Sequence, residues 1–308
     1  KRIRLFNRID RSGLSSAIKE GILNATGEII AIMDSDGQHE PIAIIEAIEE
    51  LKANNLDLVL GSRFLEESKL KGLSRKRTKG STLANKFARL SLHKNYRHIT
   101  DYMSGCMALR RDSCLDFVRE IDVNGFKFLY ELLGISSGKL NIKEIAIDFK
   151  SRLHGKSKLD IAILWDFFIS LLHTISGKVL PRRAISFALV GISGIFVQLI
   201  STEILIKLVG TTFQSALPFS VLIAASTNYL INNSLTFRSR RLKSFELIQG
   251  LLKFLLVASL PVIANVGLAT SFYKFITPSA FLAQIAGIIV VFIWNYAASS
   301  RFVWNSPS

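Results

Sequence analysis

Two carboxylates lie close together in a short polar turn of the sequence. Asp34 and Asp36 follow the apolar run Glu28–Met33, and Gln38 comes two residues after Asp36. Carboxylate and amide oxygens are the ligands that hard divalent cations such as Mg²⁺ and Mn²⁺ prefer. Such a cation offsets charge on a phosphorylated leaving group. The alternative is a solvated turn whose carboxylates cap a helix, so a metal site is a hypothesis at this stage.

Basic and hydroxyl side chains suited to phosphate follow along the chain. Arg63 ends the segment GSRF, and its planar guanidinium can present two N–H groups to one phosphate. Arg77, Ser81 and Asn85 recur every four residues, so in a helix they share one face. Arginine with serine suits an anionic oxygen, and the alternative is a solvated basic face.

A third basic group lies near the middle of the chain. Arg152 and Lys158 begin and end the segment RLHGKSK, whose glycine allows a tight loop. A basic loop with a glycine can wrap a diphosphate, and the alternative is a linker resting on anionic lipid. The segment DYMSGC at Asp101–Cys106 is interpreted as a structural turn.

The elements that must position these residues alternate between strands and helices. Short apolar runs predict strands, and apolar residues three or four apart predict helices. The alternation predicts an α/β domain with a largely parallel sheet, in which ligands bind at the carboxyl ends of the strands. The predicted strands are Lys1–Asn7, Glu28–Met33, Asp57–Gly61, Met107–Arg110 and Ile142–Asp148, and the predicted helices are Leu14–Asn24, Pro41–Ala53 and stretches within Lys69–Lys94.

The second half of the chain is apolar. Asp160–Val179 is amphipathic and is expected to lie along a membrane interface. Four later runs each reach the roughly 20 residues that a helix needs to span a bilayer. These runs are about Ile185–Leu208, Ala216–Leu235, Leu251–Phe272 and Ala280–Phe302.

The short connections between the apolar runs differ in charge. Lys178–Arg183 and Arg238–Lys243 are strongly basic, whereas Thr211–Ser215 and Thr277–Ser279 carry no charge. The positive-inside rule therefore predicts a multi-pass protein whose first half and C-terminus are both cytoplasmic.

The apolar half contains an internal repeat. Phe187 and Val190 match Phe254 and Val257, and the pair Asn228-Tyr229 matches Asn295-Tyr296 at the same offset of 67 residues. Each repeat corresponds to one two-helix hairpin, and both hairpins start on the same side.

The amount and placement of positive charge indicate which classes of partner the protein binds. The net charge is +15 over 308 residues, and much of the excess lies in Lys69–Lys94 and beside the apolar runs. That placement favours lipid head groups and phosphorylated substrates over nucleic acid. The two cysteines, Cys106 and Cys114, form no CxxC pair and are interpreted as reduced and partly buried.

Seven motifs of the first half lie at Arg11–Ala17, Met33–Pro41, Gly61–Phe64, Arg77–Asn85, Asp101–Cys106, Phe126–Leu132 and Arg152–Lys158. In these motifs and their order, the first half resembles family 2 glycosyltransferases of the dolichol-phosphate mannose synthase type. The apolar half contains NYxxNxxxTF and WNYxxSxRFV and resembles the GtrA-like family.

The resemblance implies a GT-A, Rossmann-like α/β domain over residues 1–159, an amphipathic segment over 160–183 and an all-α domain with four transmembrane helices over 184–308. It implies inverting transfer of a hexose, mannose or glucose, from GDP-mannose or UDP-glucose to polyprenyl or dolichyl phosphate. The implied roles follow position by position. A divalent cation, Mg²⁺ or Mn²⁺, would be held by Asp34, Asp36 and Gln38. The donor would be contacted by Asp34, Arg152 and Lys158, and the lipid phosphate would be bound by Arg63, Arg77 and Ser81. The catalytic residues would be Asp36 and Arg63.

No general base is prominent among these motifs. The acceptor is a phosphomonoester with a second pKa of about 6, so at neutral pH it is already mostly dianionic. Catalysis would then rest on positioning and electrostatics. The family also has a first strand and nucleotide-binding loops that precede Lys1, so the enzyme domain is expected to lack about its first quarter. A sheet edge left open is a further expectation.

Two other functions remain open from the sequence. The four-helix domain could bind or translocate a lipid-linked sugar, since Asn228, Asn232 and Asn295 are costly in lipid unless they pack or line a path. A nucleic-acid-binding membrane protein is the third hypothesis, and the ordered motifs speak against it.

Overall fold

The computed structural model describes residues 4–8, 13–68, 75–122, 127–150, 161–275 and 280–305. The chain divides into two compact units, Lys1–Val179 and Leu180–Ser308.

The first unit alternates strands and helices as predicted. Its strands are β1 (Ile29–Met33), β2 (Leu58–Ser62), β3 (Cys106–Arg110) and β4 (Ile142–Ala146), and its helices are α1 (Leu14–Asn24), α2 (Pro41–Ala53), α3 (Arg75–Ser91), α4 (Arg111–Glu120), α5 (Phe128–Ser136) and α6 (Ile161–Ile175). The strand predicted over Lys1–Asn7 is wrong for Arg4–Asn7, which is irregular. A strand needs a ladder partner, and these four residues have none among the described ones.

The sheet is mixed, which corrects the prediction of a largely parallel sheet. Its order is β1-β3-β2-β4. β3 lies between β1 and β2 and pairs with both in antiparallel fashion, whereas β2 and β4 are parallel. β1, β2 and β4 nevertheless run the same way. Their carboxyl ends therefore meet at one edge, which is also where β3 begins.

Side-chain alternation along the strands builds a core on each face of the sheet. Leu58 and Leu60 of β2 face the larger core, which also receives Met107 from β3 and Leu132 from α5. Val59, between them, packs with Ala47 and Leu51 of α2 on the other face. The α/β class predicted from the sequence is thus confirmed, with the sheet between two helical layers.

The amphipathic character predicted for Asp160–Val179 is present in α6. Phe167 and Leu171 are buried in the larger core, whereas Leu164 and Phe168 are exposed. One helix face thus packs on the first unit and the other remains apolar and open.

The second unit is helical. It contains α7 (Arg182–Lys207), α8 (Phe213–Ile231), α9 (Ser244–Phe275) and α10 (Ala280–Ala298), with π turns at Asn232–Thr236 and Ser299–Val303. Within the part of the chain that the structure describes, only α7 has both the length and the sustained apolar composition of a membrane span.

The 67-residue repeat is present in the structure. The two π turns stand at equivalent places, directly after α8 and after α10. Phe237, which follows the first turn, stacks on its equivalent Trp304, with ring centroids 4.1 Å apart and planes 9° from parallel. Phe187 and its equivalent Phe254 lie in the same aromatic core. Equivalent residues of the two repeats therefore share one aromatic cluster.

Candidate active site

The carboxyl end of β1 is held against the loop that leads into β3. The backbone N–H of Asp34 donates to the carbonyl of Gly105 at 3.1 Å. The side chain of Asp34 fills the space that a Cβ on Gly105 would occupy. A Cβ at position 105 would therefore displace the Asp34 carboxylate.

The turn after Asp34 is tied down on its other side. Gly37 has a φ of 77°, a left-handed conformation that glycine adopts without strain. The backbone N–H of Gln38 donates to Asp36 Oδ1 at 3.2 Å, and its side-chain Nε2 donates to the carbonyl of Lys150 at 3.0 Å. Gln38 is 2% exposed. The segment after β4 thus orients the Gln38 amide, with its oxygen turned away from the Lys150 carbonyl.

These residues fit a hard divalent cation. Two carboxylates and one amide present oxygen atoms from a single turn, the donor type that Mg²⁺ and Mn²⁺ take. The side chain of Asp34 lies against a glycine that leaves it room. Within the described ranges no three histidine, cysteine or acidic side chains cluster in a way that could hold a metal, so the protein would supply only part of a coordination shell. Substrate phosphates and water commonly complete such shells around Mg²⁺.

Arg63 follows β2 and is held by a buried carboxylate. Its Nε and Nη2 donate to Asp101 at 2.6 and 2.9 Å, and its backbone N–H also points to Asp101 at 3.3 Å. Asp101 is fully buried, and the side chain of Arg63 is 13% exposed. The guanidinium lies over the rings of Phe149 and Phe64, 5.2 and 5.6 Å from their centroids. Arg63 is therefore a fixed cation at the edge of the sheet.

The electrostatics keep Arg63 charged. Burial alone would lower its pKa, but the hydrogen bonds and charge of Asp101 and the charge of Asp34 raise it overall. Asp34 acts on Arg63 through charge alone, which places the two groups in one electrostatic environment. The Arg63 cation and the carboxylates of Asp34 and Asp36 thus follow the carboxyl ends of β2 and β1, which run in the same direction.

Asp101 is in turn held by β4. The carboxylate of Glu144 accepts hydrogen bonds from the backbone N–H of Asp101 at 2.9 Å and from the N–H and hydroxyl of Thr100 at 2.8 and 3.0 Å. Burial raises the pKa of Glu144, and the charge of Asp101 adds to that rise, whereas the hydrogen bonds from Asp101 and Thr100 oppose it.

His39 is a buried imidazole beside the carboxylates. It is 7% exposed and packs edge-on against Phe149, with centroids 5.3 Å apart. Its Nδ1 has no hydrogen-bond partner among the described residues. Burial lowers the pKa of His39, the charge of Asp34 opposes this and that of Arg63 adds to it. The neutral ring is thus the favoured form at pH 7.

The other predicted site residues are placed in part. Arg77 and Ser81 both lie on α3, where Ser81 is half-buried and the side chain of Arg77 falls outside the described part. Asn85, one turn further, is buried and accepts the backbone N–H of Tyr102 through its Oδ1 at 3.0 Å. Arg152 and Lys158 lie outside the described residues.

Comparison with protein families finds two models that match separate parts of the chain. The model described as glycosyl transferase family 2 matches residues 1–117, and the model described as GtrA/DPMS, transmembrane domain, matches residues 186–304. The chain joins a family 2 glycosyltransferase domain to a GtrA/DPMS transmembrane domain. The resemblance stated from the motifs is confirmed for both halves.

Three curated relatives of the chain carry the same name. A dolichol-phosphate mannosyltransferase of Pyrococcus furiosus is 28% identical over 304 residues, 98% of this chain and 83% of the relative. Those of Mycosarcoma maydis and Saccharomyces cerevisiae are both 29% identical, each over 55% of this chain. The chain spans 56% and 63% of the lengths of these two fungal relatives.

Among solved structures, part of the chain is similar to glucosyl-3-phosphoglycerate synthase from Mycobacterium tuberculosis. One such structure, in complex with Mn²⁺, UDP and glucosyl-3-phosphoglycerate, has 16% sequence identity and a TM-score of 0.39. It covers 54% of this chain and 56% of the synthase.

The structure brings Asp34, Asp36, Gln38 and Arg63 of the family 2 domain to one edge of the sheet, as the strand predictions required. Sequence reasoning missed the residues that hold them. The sequence predicts a structural turn at Asp101 and Gly105 and no role for His39 or Glu144. The available signal was that Glu144 shares a strand face with the apolar residues Ile142 and Ala146, where a carboxylate needs partners.

Proposed function

We propose that this protein transfers mannose from a nucleotide-sugar to dolichyl or another polyprenyl phosphate at the cytoplasmic membrane face, with inversion and with a divalent metal. Glucose is the alternative hexose. The observation that carries the proposal is the Arg63–Asp101 pair at the same sheet edge as the Asp34-Ser35-Asp36 turn. The name of the Pyrococcus furiosus relative, whose match extends over 98% of the chain, supports the choice of mannose and dolichyl phosphate.

The proposed reaction requires mainly that the protein position its two substrates. A phosphate oxygen of the acceptor attacks the anomeric carbon from the side opposite the nucleoside diphosphate. The new carbon–oxygen bond forms as the bond to the diphosphate breaks, which inverts the configuration. Since the acceptor phosphate is already dianionic, no proton has to be removed. The two substrates are both anionic, so cations must bring them together.

Each side of the site has residues for this task. Arg63 is the fixed cation for the acceptor phosphate, and we propose that Arg77 and Ser81 on α3 complete its grip. Arg152 and Lys158 are proposed for the donor diphosphate. We propose that Asp34, Asp36 and Gln38 hold Mg²⁺ or Mn²⁺, which when bound would offset the charge of the leaving group.

Exposed apolar surfaces in both units support a membrane location. On α3, Leu83, Phe87 and Leu90 are exposed and recur on one helix face. On α7, Phe196 and Leu199 are 62% and 60% exposed. Apolar surface of this kind is costly in water and marks a lipid or protein contact. We propose four spans within 184–308, an interfacial segment over 160–183 and an enzyme domain over 1–159.

Sugar transfer in membranes tests the function. Membranes that contain the full-length protein are given dolichyl or undecaprenyl phosphate with labelled GDP-mannose, UDP-glucose or UDP-GlcNAc in turn, with and without EDTA. We expect mannolipid from GDP-mannose, lost with EDTA and lost in Asp36→Ala. The matched control is Asp112→Ala, since Asp112 is an exposed carboxylate on α4. Folded protein that makes no glycolipid from any donor would refute the proposal.

Cysteine labelling tests the orientation. Ser215 and Ser239 are both exposed and lie on opposite sides of the predicted second span. A membrane-impermeant maleimide should label Ser215→Cys in intact cells and Ser239→Cys only after lysis. The native Cys106 and Cys114 are buried and give little background. Labelling of Ser239→Cys from outside would contradict the cytoplasmic placement.

The second candidate is a GtrA/DPMS domain that binds or translocates the lipid-linked sugar. It is favoured by Asn228 and Asn295, equivalent residues whose buried Oδ1 atoms have no partner among the described residues. Sugar transfer to short acceptors by the enzyme domain without these helices distinguishes the roles. Retained turnover would make the helices an anchor or a substrate presenter.

A further inference from the structure

We propose that Glu144 is a positioning residue, one that fixes the direction of Arg63 through Asp101 and Thr100. The inference deepens the proposed function and rests on it, since Arg63 is the cation assigned to the acceptor phosphate. Glu144 lies on β4, and by sequence it is distant from the Asp34 turn and from Arg63.

The three groups that face the Glu144 carboxylate are all donors. They are the backbone N–H of Asp101, at 2.9 Å from Oε1, and the backbone N–H and hydroxyl of Thr100, at 2.8 and 3.0 Å from Oε2. An ionised carboxylate accepts at both oxygens and donates at neither. Glutamine has one accepting oxygen and would direct an N–H₂ group at a donor. The position is therefore specific for a carboxylate.

The hydrogen bonds continue from Thr100 to the backbone on both sides of Arg63. Because the Thr100 hydroxyl gives its proton to Glu144, the hydroxyl of Ser62 must donate to Thr100, at 2.6 Å. The Ser62 oxygen in turn accepts the backbone N–H of Phe64 at 3.1 Å. Ser62 and Phe64 flank Arg63, so one end of this chain of hydrogen bonds fixes the Arg63 backbone.

The other end fixes the Arg63 side chain. Asp101, whose N–H is held by Glu144, receives Nε and Nη2 of Arg63 through both carboxylate oxygens. Its Oδ1 also accepts the backbone N–H of Met103 at 3.2 Å. With Nε and one N–H of Nη2 engaged, both N–H groups of Nη1 and the second N–H of Nη2 remain to meet a phosphate among the described contacts. A shift of the Asp101 backbone would therefore turn these N–H groups away from that phosphate.

The first test separates acceptor binding from fold. Glu144→Gln in the full-length protein should raise the KM for dolichyl phosphate about tenfold, the effect of losing one hydrogen bond to a charged group. The KM for the nucleotide-sugar should stay within about twofold, because the donor contacts are elsewhere. Glu46→Gln is the matched control, since Glu46 is exposed on α2. A Glu144→Gln enzyme with an unchanged acceptor KM would overturn the inference.

A double-mutant cycle tests the route. In an Arg63→Lys background the bidentate contact with Asp101 is lost, so adding Glu144→Gln should change the acceptor KM by less than about twofold. The same tenfold effect in both backgrounds would mean that Glu144 acts independently of Arg63.

A third measurement does not depend on turnover. Phenylglyoxal modifies accessible guanidinium groups, and mass spectrometry reports the rate for each arginine peptide. Arg63 should react several times faster in Glu144→Gln than in the parent protein, while Arg110 at the far end of β3 should react at the same rate in both. An unchanged Arg63 rate would overturn the positioning role even if no sugar transfer were found. A changed rate with no transfer would instead refute only the proposed function.

Discussion

The side chain of Asp34 occupies the space in which Gly105 lacks a Cβ. The two residues come from segments beside different strands, and the backbone N–H of Asp34 donates to the Gly105 carbonyl at 3.1 Å. The loop into β3 therefore sets the position of the first carboxylate of the predicted metal site.

This relationship predicts the effect of one methyl group. Gly105→Ala should displace the Asp34 carboxylate and lower sugar transfer by at least about tenfold, with a stability loss of about 1–3 kcal/mol from overpacking. Transfer assays and thermal unfolding of the same preparation measure the two effects.

Gly21→Ala is the matched control for that change. Gly21 lies in α1, and a Cβ added there would meet nothing within 4 Å. Alanine should therefore leave activity unchanged and stabilise the helix by about 0.5–1 kcal/mol. Full activity in Gly105→Ala would show that Asp34 does not need its present place.

Removal of the Arg63 cation should destabilise the family 2 domain. Arg63→Ala leaves the fully buried Asp101 carboxylate without its counter-ion, which typically costs about 3–5 kcal/mol. Arg63→Lys keeps the charge but loses the two-pronged contact, so its stability should fall between those of the parent protein and Arg63→Ala. Denaturant unfolding in detergent measures these losses.

The exposed Arg119–Asp116 pair on α4 gives the comparison, since its side chains are 61% and 84% exposed. Arg119→Ala should cost less than about 1 kcal/mol. Equal losses at Arg63 and Arg119 would mean that the buried pair is screened by water.

The two cysteines should be inert in the folded protein. Burial raises the pKa of Cys106 to about 11 and that of Cys114 to about 12, with smaller contributions from Asp34 and Asp57. The thiolate is the nucleophile, so at pH 8 about one Cys106 thiol in a thousand is ionised. Iodoacetamide should therefore label neither cysteine until denaturant is added, as mass spectrometry would record.

The same shifts give a pH dependence. The folded state holds the thiol protons more tightly than the unfolded chain, where the pKa is about 8.5. The free energy of unfolding should therefore fall as the pH rises from about 8.5 toward 11. Serine at both positions should remove this decline, and a decline that persists would assign it to other groups.

A pair of glycines tests the packing of the GtrA/DPMS domain. A Cβ on Gly194 would overlap the side chain of Asn228, whereas one on Gly191, about one turn earlier in α7, would meet nothing within 4 Å. Gly194→Ala should lower stability by about 1–3 kcal/mol, and Gly191→Ala should not. Equal melting temperatures in detergent would contradict the close contact of α7 with α8.

Much of the fold follows from local sequence signals. Pro41 marks the start of α2, and the helix bounds Pro41–Ala53 agree with the prediction at both ends. Leu14–Asn24 agrees equally, because its apolar spacing is regular. Asp34 and Arg63 each follow an apolar run that predicts a strand, and in the structure both lie at the same edge of the sheet.

The order of the strands could not be predicted in this way. β3 lies between β1 and β2 because of packing across the whole sheet, and no local pattern in Cys106–Arg110 records its neighbours. The support that Glu144 gives to Asp101 spans 43 residues of sequence for the same reason. The groups that could hold substrates were visible as motifs, whereas the groups that orient them depend on contacts between distant segments.

The stacking of Phe237 on its repeat equivalent Trp304 has a consequence for how the GtrA/DPMS domain can change. In a symmetric dimer, equivalent residues meet across the axis and every substitution appears twice. Here the two copies are covalently joined, so each can be altered alone. Asn233 accepts the indole N–H of Trp304 at 3.0 Å. In the other repeat, Asn233 is replaced by Ser300 and Trp304 by Phe237, whose ring has no N–H to donate. Equivalent positions of the two repeats can thus carry different residues within one chain.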